Sequence, residues 1–253
     1  MVKICCKTID SSVLGRSISV RFIIPEGENL PCLFLLHGYD GNQDEWYEKS
    51  NIVRVAAEYN LVVVMPGCGN GYYEDTHEDM PRFLGDELLA YVRGELPVSD
   101  LPEKTYIAGV SMGGFGAILV GSKYNHAFGK MASLSGAFII HDIAIGNPGV
   151  LRNADVNYFR SVFGDFSSLE GSSRDPIAEA VRTAKADPLP KICILCGEND
   201  ILYEANKEAV HDLVKNEIPV VWYSVSGNHS WSLWNDMMPH VVRWLIDGIS
   251  TKE

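Results

Sequence analysis

The stretch that decides the fold is Thr105-Tyr106-Ile107-Ala108-Gly109-Val110-Ser111-Met112-Gly113-Gly114-Phe115-Gly116-Ala117. An apolar run leads into the pattern G-x-S-x-G, from Gly109 to Gly113, and a glycine-rich helical segment follows. A serine between a strand and a helix in this pattern projects its hydroxyl from a strained turn, and the flanking glycines let neighbouring backbone approach closely. The alternative is a serine that only caps a glycine-rich helix. The strand, turn and helix context favours Ser111 as a nucleophile.

Strands and helices alternate along the chain on both sides of this turn. Apolar runs predict strands at 31–36, 61–65, 105–110, 130–134, 192–196 and 220–225, and helical spacing predicts helices at 52–59, 80–93, from Met112 onward, at 204–215 and at the C-terminal end. Two β-branched segments, 2–9 and 17–24, open the chain and are expected to pair antiparallel. The sequence therefore predicts an α/β fold, with a mostly parallel central sheet, antiparallel N-terminal strands and helices on both faces.

Residues 138–187 interrupt this alternation. They mix short apolar turns with Gly, Pro, Ser and Asp. No tandem repeat or low-complexity linker divides the chain elsewhere. We therefore expect a single domain over residues 1–253, with 138–187 inserted as a lid over the sheet.

The charge balance restricts the partners of this chain. Its 253 residues carry 21 Lys+Arg against 33 Asp+Glu, a net charge of −12, and 46% of them are hydrophobic. This argues against nucleic acid as a partner, because phosphate backbones are bound by Lys and Arg, and it disfavours strongly anionic substrates unless a local basic pocket intervenes. No apolar run reaches the length of about eighteen residues that a membrane-spanning helix needs, and the N-terminal residues lack the apolar core of a secretory signal. We expect a cytoplasmic protein with no membrane partner.

The cysteine pattern agrees with a reducing compartment. The chain has six cysteines, and in a protein that is not secreted they are expected to be reduced. Cys193 and Cys196 form a C-x-x-C pattern, but they lie in a predicted strand, where residues three apart point to opposite faces. The pattern therefore indicates two buried thiols rather than a redox pair or a metal site.

A serine nucleophile needs a base and an acid that orients the base. Asp200 follows the predicted strand 192–196 and His229 follows 220–225, so both are expected at the carboxyl edge of the sheet, in the chain order that this nucleophile turn requires. His229 would take the proton of Ser111, and Asp200 would fix the imidazole tautomer. Glu198 is the alternative acid. His37 is better suited to propping its own loop.

Another histidine, His77, lies in the acidic stretch 74–79. This stretch is compatible with a bound cation, although a solvated loop is the commoner structure for such a sequence.

The tetrahedral intermediate of acyl transfer needs hydrogen-bond donors for its oxyanion. The backbone N–H of Met112, directly after the nucleophile, is one candidate. The second is the N–H of Tyr39 in the loop after strand 31–36, where Gly38 permits a sharp turn. A simple turn before a helix is also compatible with the same residues.

Four motifs together resemble a known family. They are H-G-Y-D-G-N at 37–42, G-V-S-M-G-G-F-G-A at 109–117, G-E-N-D at 197–200 and G-N-H-S-W at 227–231. They resemble the α/β-hydrolase fold, and within it the tributyrin-esterase and esterase D branch, which includes feruloyl and acetyl xylan esterases of the first carbohydrate esterase family. The similarity spans nearly the whole chain, and residues 138–187 match least clearly. It implies a serine carboxylesterase with the triad Ser111, Asp200 and His229, an oxyanion hole at Tyr39 and Met112, and no cofactor or metal.

The substrate suggested by this resemblance is a small-molecule or carbohydrate ester with a short acyl, acetyl or hydroxycinnamoyl group. Aromatic side chains near the motif loops are candidate pocket walls: Tyr39, Trp46, Tyr72, Tyr73 and Trp231. Among them Trp46 and Trp231 are the expected substrate contacts, although Trp231 shares a helical stripe with Trp234 and Met238 and is equally compatible with the core.

An S-formylglutathione hydrolase or another thioesterase would use the same residues. A catalytically inactive binding module of the same fold is a third hypothesis. The sequence leaves open whether the chain forms a homo-oligomer.

Overall fold

The strands of the protein form one sheet. The structure, a computed structural model, describes residues 1–146 and 155–248. Its strands are β1 Val2–Ser11, β2 Arg16–Pro25, β3 Cys32–Leu36, β4 Val62–Pro66, β5 Thr105–Val110, β6 Lys130–Leu134, β7 Lys191–Gly197 and β8 Val220–Val225. They lie in the order β1-β2-β4-β3-β5-β6-β7-β8. Strands β1 and β2 pair antiparallel, β2 pairs antiparallel with β4, and every neighbouring pair from β4 to β8 is parallel. The predicted fold class is confirmed.

Helices cover both faces of this sheet. They are α1 Glu45–Lys49, α2 Ile52–Glu58, α3 Met80–Arg82, α4 Leu89–Glu95, α5 Met112–Lys123, α6 Ile140–Ala144, α7 Val156–Phe163, α8 Pro176–Ala184, α9 Tyr203–Lys215 and α10 Trp231–Asp247, with a π-helical turn at Phe83–Leu88 and 3₁₀ turns at Pro102–Lys104 and Phe166–Ser168. The core side chains of α1, α2 and α10 pack on one face, and those of the other helices pack on the opposite face. None of the helices in the described residues is both long enough and apolar enough to cross a bilayer.

The alternation of strand side chains separates these two cores. On β3, Leu33 and Leu35 join the core beneath α10, whereas Phe34 and Leu36 join the core beneath α5. Successive residues of a strand point to opposite faces, so a strand buried on both sides must be apolar at every position. This is the reason that a continuous apolar run predicts a central strand.

The predicted helix 80–93 is interrupted. Between α3 and α4 the chain makes the π-helical turn Phe83–Leu88. A Cβ on Gly85 within this turn would overlap the ring of Tyr124, so glycine permits the ring to pack directly on the backbone. Apolar periodicity gives no signal for this local widening, because it marks the buried face and not the hydrogen-bond spacing.

The segment 138–187, predicted to be a lid, contains α6, α7 and α8, and residues 147–154 within it lie outside the described part of the chain. Helix α8 packs against α5: Ala180 is fully buried in the main core, and Thr183 Oγ1 donates to the carbonyl of Ser122 on α5 at 3.2 Å. Parallel strands need a crossover connection, and α8 is that connection between β6 and β7. Helix α7 brings Tyr158 and Phe159 close to Ser111 at the carboxyl end of β5.

Candidate active site

The turn at Ser111 joins β5 to α5. Ser111 has φ 53° and ψ −117°, a strained left-handed conformation for a residue with a side chain. A Cβ on Gly109 would overlap the carbonyl of Gly113, and a Cβ on Gly113 would lie 2.6 Å from the carbonyl oxygens of Leu36 and His37. Only glycine allows the turn to close this tightly. The residue is 8% exposed, so its hydroxyl lies at the floor of a cleft.

Side chains from three strand ends meet at this hydroxyl. His229 Nε2 lies 3.1 Å from Ser111 Oγ, and His229 Nδ1 lies 2.9 Å and 3.0 Å from the two carboxylate oxygens of Asp200. With the proton on Nδ1, the imidazole donates to Asp200 and accepts from the serine hydroxyl. The structure therefore brings together the three residues predicted for the triad. Glu198, the alternative acid, is exposed, and it accepts from the hydroxyl of Ser224 at 3.1 Å instead.

The loops that carry the acid and the base are bonded to each other. The N–H of Glu198 donates to the carbonyl of Val225 at 2.8 Å, and the N–H of Asn199 donates to the carbonyl of Gly227 at 2.9 Å. A Cβ on Gly197 would overlap the carbonyl of Gly227, so glycine is needed for this approach. The two loops thus act as one support for the Asp200–His229 pair.

The environment of Asp200 keeps its carboxylate ionised. Burial by itself raises the pKa of this carboxyl group, but the hydrogen bonds from His229, the N–H of Leu202 and the Ser135 hydroxyl outweigh it, and the pKa lies below its ordinary value of 3.8. A fully buried carboxylate with these donors is an effective partner for an imidazolium. Asp200 can therefore stabilise the charge that His229 gains when it removes a proton.

Two supporting residues gave no separate signal in the sequence. Ser135 follows β6, is fully buried and has φ 50°. Its Oγ accepts from Trp234 Nε1 at 3.0 Å, and the indole ring of Trp234 lies edge-on to His229 with 4.9 Å between ring centroids. Trp234 was expected only in the core. It also links two parts of the site, because its ring contacts the His229 imidazole and its Nε1 donates to Ser135.

The loop after β3 lies directly against the nucleophile. A Cβ on Gly38 would be 3.7 Å from Ser111 Cβ. His37 is buried; its Nε2 accepts from the N–H of Cys68 at 3.0 Å, so its Nδ1 carries the proton and donates to the carbonyl of Gly38 at 2.7 Å. His37 thus stabilises its own loop, and the hydroxyl of Tyr73 donates to the carbonyl of His37 at 2.9 Å.

Within the described residues, neither Tyr39 N–H nor Met112 N–H donates a hydrogen bond, so both candidate oxyanion donors are available to a substrate.

A cleft of about 360 Å³ opens above Ser111 and His229. Its walls are largely aromatic, and its other lining residues are Gly38, Tyr39, Asp40, Glu45, Tyr72, Val110, Tyr158, Phe159, Ser230, Trp231 and Trp234. The structure places Tyr39, Tyr72 and Trp231, among the predicted aromatic residues, in this lining. An aromatic pocket above a serine nucleophile can hold an acyl or alcohol group while the serine attacks it.

Trp46, predicted to contact substrate, does not line the cleft. Trp46 is 1% exposed, its Nε1 donates to the carbonyl of Leu36 at 2.9 Å, and its ring supports Trp231 from behind at 5.0 Å between centroids. Adjacent residues on a helix point about 100° apart, and on α1 it is Glu45 that faces the cleft. The sequence spacing predicted that α1 lies at the site, but it did not predict that Glu45 rather than Trp46 faces the cleft.

The acidic stretch 74–79 is occupied by ion pairs. Asp75 pairs with Lys123, and Glu78 pairs with Arg16 at 2.6 Å. In the part of the chain that the structure describes, no group of three or more His, Cys, Asp and Glu side chains is arranged to hold a metal ion. The Cys193 and Cys196 thiols are also apart: Cys193 packs beneath α10, and Cys196 Sγ lies 4.0 Å from Ser135 Oγ.

Comparison with known proteins agrees with this geometry. Residues 11–245 match the family described as putative esterase. The chain is 39% identical to an acetyl esterase of Caldicellulosiruptor saccharolyticus over 254 residues, 93% of this chain and 95% of that one. Its fold is similar to an S-formylglutathione hydrolase of Staphylococcus aureus (TM-score 0.86, 24% identity, 97% and 99% of the two chains). It is also similar to a family CE1 ferulic acid esterase of Anaeromyces mucronatus (TM-score 0.67, 18% identity, 96% and 89%). The chain therefore belongs to the putative esterase family and is an esterase of the α/β-hydrolase fold.

Proposed function

We propose that the protein is a serine carboxylesterase that hydrolyses acetyl and other short-chain or hydroxycinnamoyl esters through Ser111, His229 and Asp200. The observation that carries the proposal is the unbroken hydrogen-bond chain from Ser111 Oγ through His229 to Asp200, at 3.1 Å and 2.9 Å. This chain supplies a neutral hydroxyl with the base that it needs to act as a nucleophile.

The reaction follows from these positions. As the oxygen of Ser111 attacks the ester carbonyl carbon, its proton passes to His229 Nε2, and the N–H groups of Tyr39 and Met112 donate to the oxyanion that forms. The imidazolium then gives this proton to the departing alcohol, leaving an acyl group on Ser111. A water molecule, deprotonated by His229, then attacks the acyl carbon. The bond to Ser111 Oγ breaks, the imidazolium returns the proton to that oxygen, and the acid is released. Asp200 remains ionised throughout and holds the imidazole orientation.

The cleft favours uncharged substrates. Its lining includes the carboxylates of Asp40 and Glu45, and in the described residues it includes no lysine or arginine. Such a lining offers no cation to pair with the carboxylates of glutathione, whereas it can accept neutral acyl and alcohol groups, including sugars. Oxygen esters of neutral alcohols are therefore the proposed substrates in preference to glutathione thioesters.

Part of the inserted segment completes the proposed pocket. Tyr158 and Phe159 on α7 line the cleft opposite Trp231 and Trp234. We assign α7, within 138–187 of the single domain 1–253, the role of a lid that shapes the acyl and alcohol sites. A cytoplasmic location also belongs to the proposal, and it is supported by the six cysteines, all of which are free.

Replacement of the nucleophile tests the proposal. Ser111→Ala should lower kcat for 4-nitrophenyl acetate by at least about 10⁴-fold and abolish covalent labelling by a fluorophosphonate. Ser122→Ala is the matched control, because Ser122 lies near the C-terminal end of α5, away from the nucleophile turn, and its buried hydroxyl has no partner among the described residues. Near-normal turnover by Ser111→Ala, or absence of labelling in the unmodified protein, would refute the proposed mechanism.

An ester series then defines the substrate. The unmodified enzyme should hydrolyse acetylated xylan fragments or methyl ferulate with a higher kcat/KM than S-formylglutathione. A preference for the thioester would assign the site to the alternative activity.

A further inference from the structure

The peptide unit between Gly38 and Tyr39 is held by two hydrogen bonds, and the preceding His37–Gly38 unit is held by a third. The carbonyl of Gly38 accepts from His37 Nδ1 at 2.7 Å and from the N–H of Gly41 at 3.1 Å. The N–H of the same glycine donates to Glu45 Oε2 at 3.1 Å. The short loop is thus fixed from within by His37 and Gly41 and from α1 by Glu45.

These bonds determine where the N–H of Tyr39 points. The peptide is trans, so its carbonyl and its N–H point in opposite directions within one plane. Since His37 and Gly41 hold the carbonyl on the protein side, the N–H of Tyr39 is directed away from them. The bond from the N–H of Gly38 to Glu45 fixes the preceding His37–Gly38 peptide unit, and therefore limits rotation at Gly38, where the two peptide units meet.

Glu45 is built into this position. It is a buried acidic residue, and its second carboxylate oxygen pairs with Lys49 at 3.1 Å. A Cβ on Gly41 would overlap Glu45 Oε2, so the loop wraps closely around the carboxylate. Lys49 in turn lies 5.5 Å from the ring centroid of Trp231 in the cleft wall. A buried charge requires such partners, which indicates that the carboxylate is held in one place.

We propose that Glu45 is a positioning residue that holds the Gly38–Tyr39 peptide in the orientation in which Tyr39 N–H meets the oxyanion. This inference rests on the proposed function, because it assigns Glu45 a part in the same reaction. A misdirected donor fails mainly in the transition state, where the charge develops, and loss of one oxyanion donor lowers kcat by about 10²–10³-fold in other enzymes.

The direction in which kcat changes on substitution of Glu45 distinguishes a positioning role from a purely electrostatic one. A negative charge close to a developing oxyanion disfavours it, so removal of the charge alone would raise kcat. Removal of an acceptor that orders the loop lowers kcat instead. Glu45→Ala is therefore expected to lower kcat by about 10–100-fold with KM changed less than about threefold, consistent with a donor that acts in the transition state.

Glu45→Gln provides the conservative comparison. Its amide oxygen retains the acceptor for Gly38 N–H, so it should keep kcat within about fivefold of the unmodified enzyme, as expected when the hydrogen bond and not the charge matters. Glu48→Ala is the matched control on the same helix, because Glu48 is exposed. Thermal unfolding of each variant checks that the fold is retained.

Gly41→Ala tests the same contact without removing the carboxylate. The added methyl group displaces Glu45 Oε2 from the loop and should reproduce the kcat loss of Glu45→Ala, whereas Gly94→Ala, at an open position on α4, should not. In both active-site variants the affinity of a boronic acid that mimics the tetrahedral intermediate should fall in parallel with kcat/KM.

Either of two results overturns the inference. One is kcat within about twofold of normal in Glu45→Ala and Gly41→Ala, and the other is an equal loss in Glu45→Gln and Glu45→Ala. Failure of the proposed function is recognised separately, since it would appear as activity in Ser111→Ala.

Discussion

At the scale of the residue, the site depends on a carboxylate that is buried and yet ionised. The pKa of Asp200 lies below 3.8 because hydrogen bonds from His229, Leu202 and Ser135 outweigh the effect of burial. A carboxyl group whose pKa is lower in the folded than in the unfolded chain stabilises the fold above about pH 3.8. This contribution is lost as the pH falls through the lower, folded-state pKa.

Asp200→Asn should therefore remove function more than structure. The amide cannot accept from His229 as a carboxylate does, so the imidazole loses its tautomer and the partner of its positive charge. We expect kcat to fall by about 10³–10⁴-fold. Glu198→Gln, in the same loop, should leave kcat unchanged. Steady-state kinetics of the two variants decide which acid serves the triad, and comparable losses in both would contradict the assignment of Asp200.

The buried His37 provides a second prediction at this scale. Burial lowers the pKa of this imidazole below 6.5, although the carbonyl of Gly38 and the nearby Glu45 act in the opposite direction. Nitrogen NMR should therefore show a neutral ring with the proton on Nδ1 at pH 7, and the ring should titrate at a lower pH than an exposed histidine does. Because the unfolded chain binds this proton more readily than the folded one, His37 reduces stability as the pH falls below about 6.5. Titration of the ring at or above pH 6.5 would contradict this arrangement.

At the scale of the element, the backbone of α5 lies so close to neighbouring residues that several of its positions have no room for a side chain. Gly113, Gly114, Gly116 and Gly121 all lie where an added Cβ would overlap a neighbour or come within 3.0 Å of it. On α4, by contrast, Gly94 is exposed and faces open space. The same residue type thus has opposite meanings on two helices, and propensity alone cannot tell them apart.

Two matched substitutions test this contrast. Gly116→Ala should lower the free energy of unfolding by about 1–3 kcal/mol, because the methyl group would overlap the buried ring of Tyr73. Gly94→Ala should raise it by about 0.5–1 kcal/mol, because alanine restricts the unfolded chain and favours the helix. Urea unfolding measures both. Similar changes in the two variants would show that the packing on α5 is looser than the structure indicates.

At the scale of the whole molecule, segments distant in sequence combine to close the cleft. The hydroxyl of Tyr158 on α7 donates to the carbonyl of Asn70 at 2.5 Å, and its ring lies edge-on to Tyr39 at 5.1 Å between centroids. Arg174 donates to Thr76 Oγ1 at 3.0 Å. These contacts attach the proposed lid to the loop after β4.

Tyr158→Phe should loosen this attachment while it retains the aromatic wall. We expect KM for a short-chain ester to rise by about two- to fivefold with kcat nearly unchanged, since one hydrogen bond contributes about 0.5–1.5 kcal/mol. Backbone hydrogen exchange in Val156–Phe163 should become faster, whereas Ser161→Ala, whose exposed hydroxyl only caps the carbonyl of Tyr158, serves as the control. Unchanged exchange and unchanged KM would show that the hydroxyl does not hold the lid.

The local sequence determined a large part of this protein. The buried strands, their parallel arrangement and the glycines around Ser111 follow from apolar runs and steric limits that act over a few residues. Because parallel strands bring their carboxyl ends to one edge, the loops with Asp200 and His229 were also predictable as neighbours of Ser111, and the structure brings the three side chains within hydrogen-bond distance.

Tertiary structure alone decided the supporting contacts. Glu45 rather than Trp46 faces the cleft, the Ser135 hydroxyl bonds to Asp200, and α8 packs in the main core. Each of these contacts depends on the rotation of a helix or on a partner many residues away in the chain. The spacing of residues in the sequence predicts neither of these. The physical reason is range: backbone sterics and burial patterns act locally, whereas the orientation of one side chain is set by close packing among segments that meet only in the folded chain.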